Sequence, residues 1–136
     1  MKKATILLII FLATMASLVS CGDEPDGKWD KMKWKNLSGL SKENGTYILP
    51  ADGGTYAFEC TNYSSPWLSS ILVNGEYVYP SPDFHSFTSD WFSVLCNHAT
   101  VTVTIQPLDG STASRSLSVG VTAGDIFDSI DFVQRR

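Results

Sequence analysis

Apolar and polar residues alternate with a period of two along most of this chain, and that alternation admits few folds. Tyr56, Phe58 and Cys60 alternate with Thr55, Ala57, Glu59 and Thr61 after the turn Asp52-Gly53-Gly54. Phe92, Val94 and Cys96 alternate with Ser93 and Leu95, and Val101, Val103 and Ile105 alternate with Thr100, Thr102, Thr104 and Gln106. Leu117, Val119 and Val121 alternate with Ser116, Ser118 and Thr122, and Ile130 and Phe132 alternate with Asp131 and Val133. Successive side chains of a strand point to opposite faces, so each run buries one face and wets the other. Turn formers separate the runs at Asn62 to Pro66, Asn74-Gly75, Asn97-His98, Asp109-Gly110 and Gly124-Asp125. Asn74-Gly75 suits a type I′ hairpin between Trp67 to Val73 and Glu76 to Tyr79. Beyond the first twenty residues no segment carries apolar residues at helical spacing over three turns. The pattern predicts an all-β chain, an antiparallel β-sandwich of about seven or eight strands. Apolar residues make up 43% of the chain and charged residues 18%, enough to fill such a core.

The N-terminus reads as an export signal. Met1-Lys2-Lys3 is a short positive region, followed by the almost wholly apolar run Ala4 to Ala13. Leu18-Val19-Ser20-Cys21 places small residues directly before a cysteine and resembles a bacterial lipobox. That resemblance implies cleavage before Cys21 and acylation of its thiol and amine. Several acyl chains on one residue anchor stably, since each buried methylene contributes about 0.8 kcal/mol. The alternative is an uncleaved membrane helix, weakened by Thr5, Thr14, Ser17 and Ser20. The acidic, turn-rich stretch Gly22 to Gly27 reads as a tether, and it also resembles the surface-export signal of lipoproteins in the Bacteroidetes. The expected location is the outer membrane of a Gram-negative bacterium, at the cell surface. The expected domains are therefore a signal over 1–20, a lipidated cysteine with tether and N-terminal edge strand over 21–45, and a sandwich over 46–136. In the edge strand, Met32 and Trp34 alternate with Lys31, Lys33 and Lys35, lysines being a common guard against unwanted strand pairing. Trp29 and Trp34 are read as packing rings rather than ligand platforms.

Charge narrows the partners. The whole chain carries −4, and removing Lys2 and Lys3 leaves eight basic against fourteen acidic residues, a net −6. Such a surface repels phosphate backbones, so nucleic acid is not an expected partner.

Several short motifs together resemble one family. Gly53-Gly54-Thr55 opens an early strand, Trp67 and Trp91 sit in middle strands, and Thr100 to Pro107 forms a regular strand. Arg115-Ser116-Leu117-Ser118-Val119 and a closing Phe132-Val133-Gln134 complete the series. In this order, over Thr46 to Gln134, they resemble the BACON family. The resemblance implies an immunoglobulin-like module of the kind found in secreted and surface proteins of Bacteroidetes, a family named for carbohydrate binding, many of whose members serve as spacers. This chain departs from the family pattern over Asn74 to Asp90, which is longer and more aromatic than a plain hairpin.

No constellation for catalysis stands out, and none is expected. The two histidines, His85 and His98, lie in predicted loops without a triad context, and no cysteine and histidine spacing suits a metal or cofactor. Asp125, Asp128 and Asp131 would converge on a helix, but on a strand Asp128 faces away from the other two. Glu59 and Glu76 carry no information as a glycosidase pair without a separation. Cys60 and Cys96 both fall on the inward phase, which leaves open a disulfide or two buried thiols. The segment Glu76 to Trp91 holds the expected ligand-binding residues Tyr77, Tyr79, Phe84, Phe87 and Trp91. Aromatic faces stack on sugar C–H groups while neighbouring carboxylates and amides bond hydroxyls. The expectation is a non-enzymatic, lipid-anchored module that binds glycan or a surface partner. The alternative is a structural subunit or spacer of a surface assembly, its rings closing an open end of the core.

Overall fold

The computed structural model describes residues 29–78 and 83–136. The expected signal segment, Cys21, the expected acidic tether and Tyr79 lie outside the described residues. The chain divides into two units, Met1–Asp30 and Lys31–Arg136, and the fold is that of the second.

Eleven strands follow one another with no helix among the described residues: β1 (Trp34–Asn36), β2 (Lys42–Glu43), β3 (Thr46–Leu49), β4 (Gly54–Cys60), β5 (Trp67–Val73), β6 (Glu76–Val78), β7 (Ser86–Thr88), β8 (Phe92–Asn97), β9 (Thr100–Ile105), β10 (Ser114–Ala123) and β11 (Ile126–Arg135). Seven of them have four residues or more, as the alternation foretells, and the other four are edge pieces of two or three residues. Of these, β1 and β6 lie where the sequence reading expects an edge strand and a hairpin arm, while β2 and β7 are too short to show a period. The strands form a five-stranded sheet ordered β1-β4-β9-β8-β7 and a six-stranded sheet ordered β2-β3-β11-β10-β5-β6. Within these, β1-β4-β9-β8 and β5-β10-β11 reproduce the two-sheet arrangement of an immunoglobulin-like sandwich.

Two features differ from the sequence expectation. The sheets are not wholly antiparallel, because β3 runs parallel to β11, with Tyr47 opposite Phe132 and Leu49 opposite Gln134. These strands are distant in sequence, and hairpin connection is what enforces antiparallel pairing. The compact unit also begins at Lys31 rather than 46. Asn62 accounts for that: its amide oxygen accepts the Lys33 N–H at 2.9 Å and its amide nitrogen donates to the Lys31 carbonyl at 2.8 Å. The chain so pinned buries Met32 and sets Trp34 on an edge strand, while Lys31, Lys33 and Lys35 stay exposed. Trp34 Nε1 then donates across to Asp128 on β11 at 3.0 Å. Asp128 thus faces inward and Asp131 outward, as strand alternation requires.

The two inner faces meet over Phe58, Phe92, Phe132, Leu49, Leu68 and Ile71, all almost fully buried. Tyr47, Phe58 and Phe132 cluster with ring centroids 4.8 to 5.9 Å apart, joining three strands of both sheets. Asn74 and Gly75 both have positive φ, 52° and 83°, as the type I′ hairpin demands. A bulge interrupts the β5–β10 pairing at Gly120, and a Cβ there would run into the hydroxyls of Ser70 and Ser69.

Cys60 and Cys96 are buried free thiols. Their sulfurs point to different partners: Cys60 Sγ donates to Asn62 Oδ1 at 3.5 Å and Cys96 Sγ to the Pro66 carbonyl at 3.1 Å. Strand β9 lies between the two parent strands, so they are not cross-strand neighbours. Burial, with the nearby Cys60 thiol adding to it, pushes the Cys96 pKa from 9.0 up to about 11. Because the folded value lies above the unfolded one, the neutral thiol supports the fold fully below pH 9 and that support is lost as pH rises through about 11. Alkylation without reductant, mapped by mass spectrometry, is expected to label both Cys60 and Cys96 in denaturant and neither quickly in the native protein at pH 7. Recovery of a Cys60–Cys96 cross-linked peptide instead would show a disulfide.

Candidate functional site

Polar residues on the inward phase of β10 and β11 build one end of the sandwich. Gln134 follows Ile130 and Phe132 at every second position of β11 and is 0% exposed. Its amide nitrogen lies 3.0 Å from the Pro50 carbonyl, 3.3 Å from that of Ala51 and 3.0 Å from that of Gln106. Its amide oxygen accepts a 2.7 Å bond from Arg115 Nε on β10. Arg115 Nη2 also donates to the carbonyls of Gln106 at 2.8 Å and Pro107 at 3.1 Å. The guanidinium lies 4.2 Å from the centroid of the Trp91 ring, a cation–π contact. Burial lowers the Arg115 pKa while the nearby Asp109 carboxylate opposes that shift.

Beside this cluster opens a cleft of about 450 Å³ lined by Asn74, Asp90, Trp91, Asp109, Thr112 and Arg115 among others. Its volume lies in the range of small-ligand sites, and it combines an aromatic edge with donors and acceptors. Asp109 is organised by its own loop: it accepts from Ser111 Oγ at 2.8 Å, Ser111 N at 2.9 Å and Thr112 N at 2.8 Å. Those bonds, the Ser111 side chain first, hold the carboxyl down to about 2. The carboxylate is therefore ionised throughout the neutral range, suited to accepting hydroxyl hydrogen bonds rather than giving protons.

The five aromatic residues singled out in the sequence do not form one surface. Trp91 meets Phe92 edge-on at 4.8 Å, and Phe87 stacks on Phe92 at 5.8 Å, so both help cover the core. Tyr77 is 75% exposed on the edge strand β6 of the six-stranded sheet. Phe84 is 50% exposed in the loop before β7, where its backbone takes φ 57°, uncommon for a bulky residue. Tyr79 lies outside the described residues. The histidines are exposed in loops, and His85 N donates to Asp83 Oδ1 at 3.0 Å. Together with Cys96 they line a hollow of about 410 Å³ at the opposite end of β8 from Trp91. Glu59 and Glu76 belong to different sheets. Among the described residues no group of three or more His, Cys, Asp or Glu is placed to hold a metal, and no helix is long and apolar enough to cross a membrane.

Sequence reasoning did not assign Arg115 and Gln134 to a site. The signal was present, because each occupies the apolar phase of its strand, two residues from Leu117 and Phe132 respectively. Trp67 and Phe127 were also missed. They are exposed at 39% and 71%, and they become neighbours only through the register of three strands.

The sheet order defines the class, an immunoglobulin-like β-sandwich. Neither a family model nor a curated protein matches the chain. Among solved structures it is similar to the NMR structure of a protein from Bacteroides thetaiotaomicron, with 38% sequence identity and a TM-score of 0.71. The similarity covers 83% of this chain and 93% of the other. The chain belongs to the same family as that Bacteroides protein.

Proposed function

We propose that this chain is a lipid-anchored, non-enzymatic module of the BACON type, held at the outer membrane and facing the cell surface or periplasm, which binds glycan. The observation that carries the reading is the cleft beside Trp91, where Asp90, Asp109, Asn74 and Thr112 surround an aromatic edge on a rigid sandwich. Carboxylates, amides and hydroxyls set around an aromatic ring are the groups that recognise a polyhydroxylated ligand. Site and scaffold are coupled, since Arg115 both lines the cleft and bonds the buried Gln134. The lipobox ending at Cys21 and the acidic tether support the anchoring and location. The second reading, a spacer or interaction subunit without a small ligand, is favoured by the packing of Phe87 and Trp91 on Phe92.

Glycan-array binding by the detergent-solubilised full chain separates the two. Asp90→Ala, an exposed cleft residue, is expected to reduce binding several-fold without moving the melting temperature. Trp91→Ala is expected to lower both, because it removes core packing and the Arg115 contact. An array without hits would eliminate the glycan reading and leave the spacer. For the anchor, Cys21→Ser is expected to leave an unprocessed precursor without lipid label; continued acylation would show that Cys21 is not the modified residue.

A further inference from the structure

We infer that the outward face of the six-stranded sheet carries a second, elongated site, a channel for an uncharged polysaccharide chain crossing the strands between Trp67 and Phe127 on one side and Tyr77 on the other. The inference rests on the glycan reading above and gives it a surface distinct from the cleft.

Register places the walls. Thr122 on β10 is opposite Trp67 on β5 and Phe127 on β11, so the two rings stand two strand spacings apart, about 10 Å. Trp67 is 39% exposed and Phe127 71%, while Thr122 between them is only 4% exposed although it points away from the core. Its hydroxyl is turned into the hairpin, donating to the Gly124 and Ile126 carbonyls at 2.8 and 2.9 Å. A second outward row runs Tyr77, Leu72, Ser118, Asp131 over β6, β5, β10 and β11. The two rows are separated by four residues along β10, about 13 Å.

Between the rows lies a third, Ser70, Gly120 and Ser129, whose side chains are too small to fill the gap. The β5 bulge has a visible effect here. It leans the hydroxyls of Ser69 and Ser70 over Gly120, into the space a Cβ would occupy. Neither hydroxyl is tied to another group among the described residues. On its side away from Gly120 the second row borders a hollow of about 250 Å³ lined by Leu72, Ser116, Ser118, Asp131 and Val133 among others. Asp131 there accepts a 2.6 Å bond from Ser118 Oγ and keeps further acceptor capacity.

The chemistry of these rows selects the occupant. Exposed ring faces suit the C–H faces of pyranose rings, and serine hydroxyls with a carboxylate suit their hydroxyl edges. The three rows contain no cation, and Arg135 beyond them is paired with Glu43 at 2.8 Å. Phosphorylated, sulfated or uronic-acid chains therefore find no counter-charge on this face, and would meet Asp131 instead. A channel crossing several strands suits a chain of sugars more than a single ring.

The test uses the detergent-solubilised full chain, an array of cello-, malto- and manno-oligosaccharides, and heparan sulfate and polygalacturonate as anionic probes. Trp67→Ala and Phe127→Ala are each expected to weaken the tightest-binding neutral oligosaccharide about tenfold. Phe127→Ala is expected to leave the melting temperature unchanged, and Trp67→Ala to lower it by no more than a few degrees, since the ring is partly covered. Ser129→Trp, which fills the channel from an exposed position, is expected to abolish that binding, and oligosaccharides are expected to bind more tightly than disaccharides. Wild-type affinity for neutral glycans in all three variants would overturn the channel and leave the cleft reading intact. Preference for the anionic probes would overturn it as well. An array without any hit would remove the channel and the glycan reading together.

Discussion

Gln134 is the residue on which one end of the molecule depends. Two amide hydrogens serve the carbonyls of Pro50, Ala51 and Gln106, and the amide oxygen holds Arg115. One side chain thereby ties the β3–β4 turn, the end of β9 and strand β10 to the last strand. A polar side chain with 0% exposure is costly unless every group is satisfied. Here it is satisfied by three backbone carbonyls and the Arg115 Nε–H, and each carbonyl also accepts one other bond, from Gly53 N, Leu108 N and Arg115 Nη2 respectively. Among the described residues no buried side-chain nitrogen or oxygen lacks a hydrogen-bond partner. The glutamine is also specific in a way an apolar residue could not be: its bonds require β3 beside β11 in the observed parallel register.

From that anchor the functional geometry follows outward. Gln134 fixes the Arg115 guanidinium, Arg115 lies on the Trp91 ring, and Trp91 in turn packs on Phe92 in the core. The cleft is therefore bounded by groups whose rotamers are set from below, the arrangement that lowers the entropy lost on binding. Exposed rings follow a different logic. Tyr77, Trp67 and Phe127 stand on sheet positions whose spacing is set by strand register rather than by side-chain bonds.

The longer strands were legible because each buries one face, so Phe58, Val103, Val119 and Phe132 mark their own inward phase. Hairpin turns were legible where Asn-Gly imposes positive φ, as at Asn74-Gly75. Pairing between strands distant in sequence was not. The parallel contact of β3 with β11 leaves no trace in either strand alone, and β2 and β7 are too short to show a period. The aromatic segment was read as one surface because its rings are close in sequence. Strand geometry sends Phe87 and Trp91 to the core and Tyr77 to another sheet. Trp67 and Phe127, sixty residues apart, meet across Thr122 only through two registers. Arg115 and Gln134 could have been found, since a long polar side chain on an apolar phase asks for a buried partner.

The most direct test is the unfolding free energy of Gln134→Leu, measured by urea titration. Leucine is close to glutamine in size but leaves the Arg115 Nε–H without its acceptor and takes one of two donors from each carbonyl, Pro50, Ala51 and Gln106 keeping Gly53 N, Leu108 N and Arg115 Nη2. The expected loss is about 2 kcal/mol, the cost of one orphaned charged donor together with the lost amide bonds. A stability within about 0.5 kcal/mol of the parent would contradict the claim that this glutamine holds the end of the sandwich.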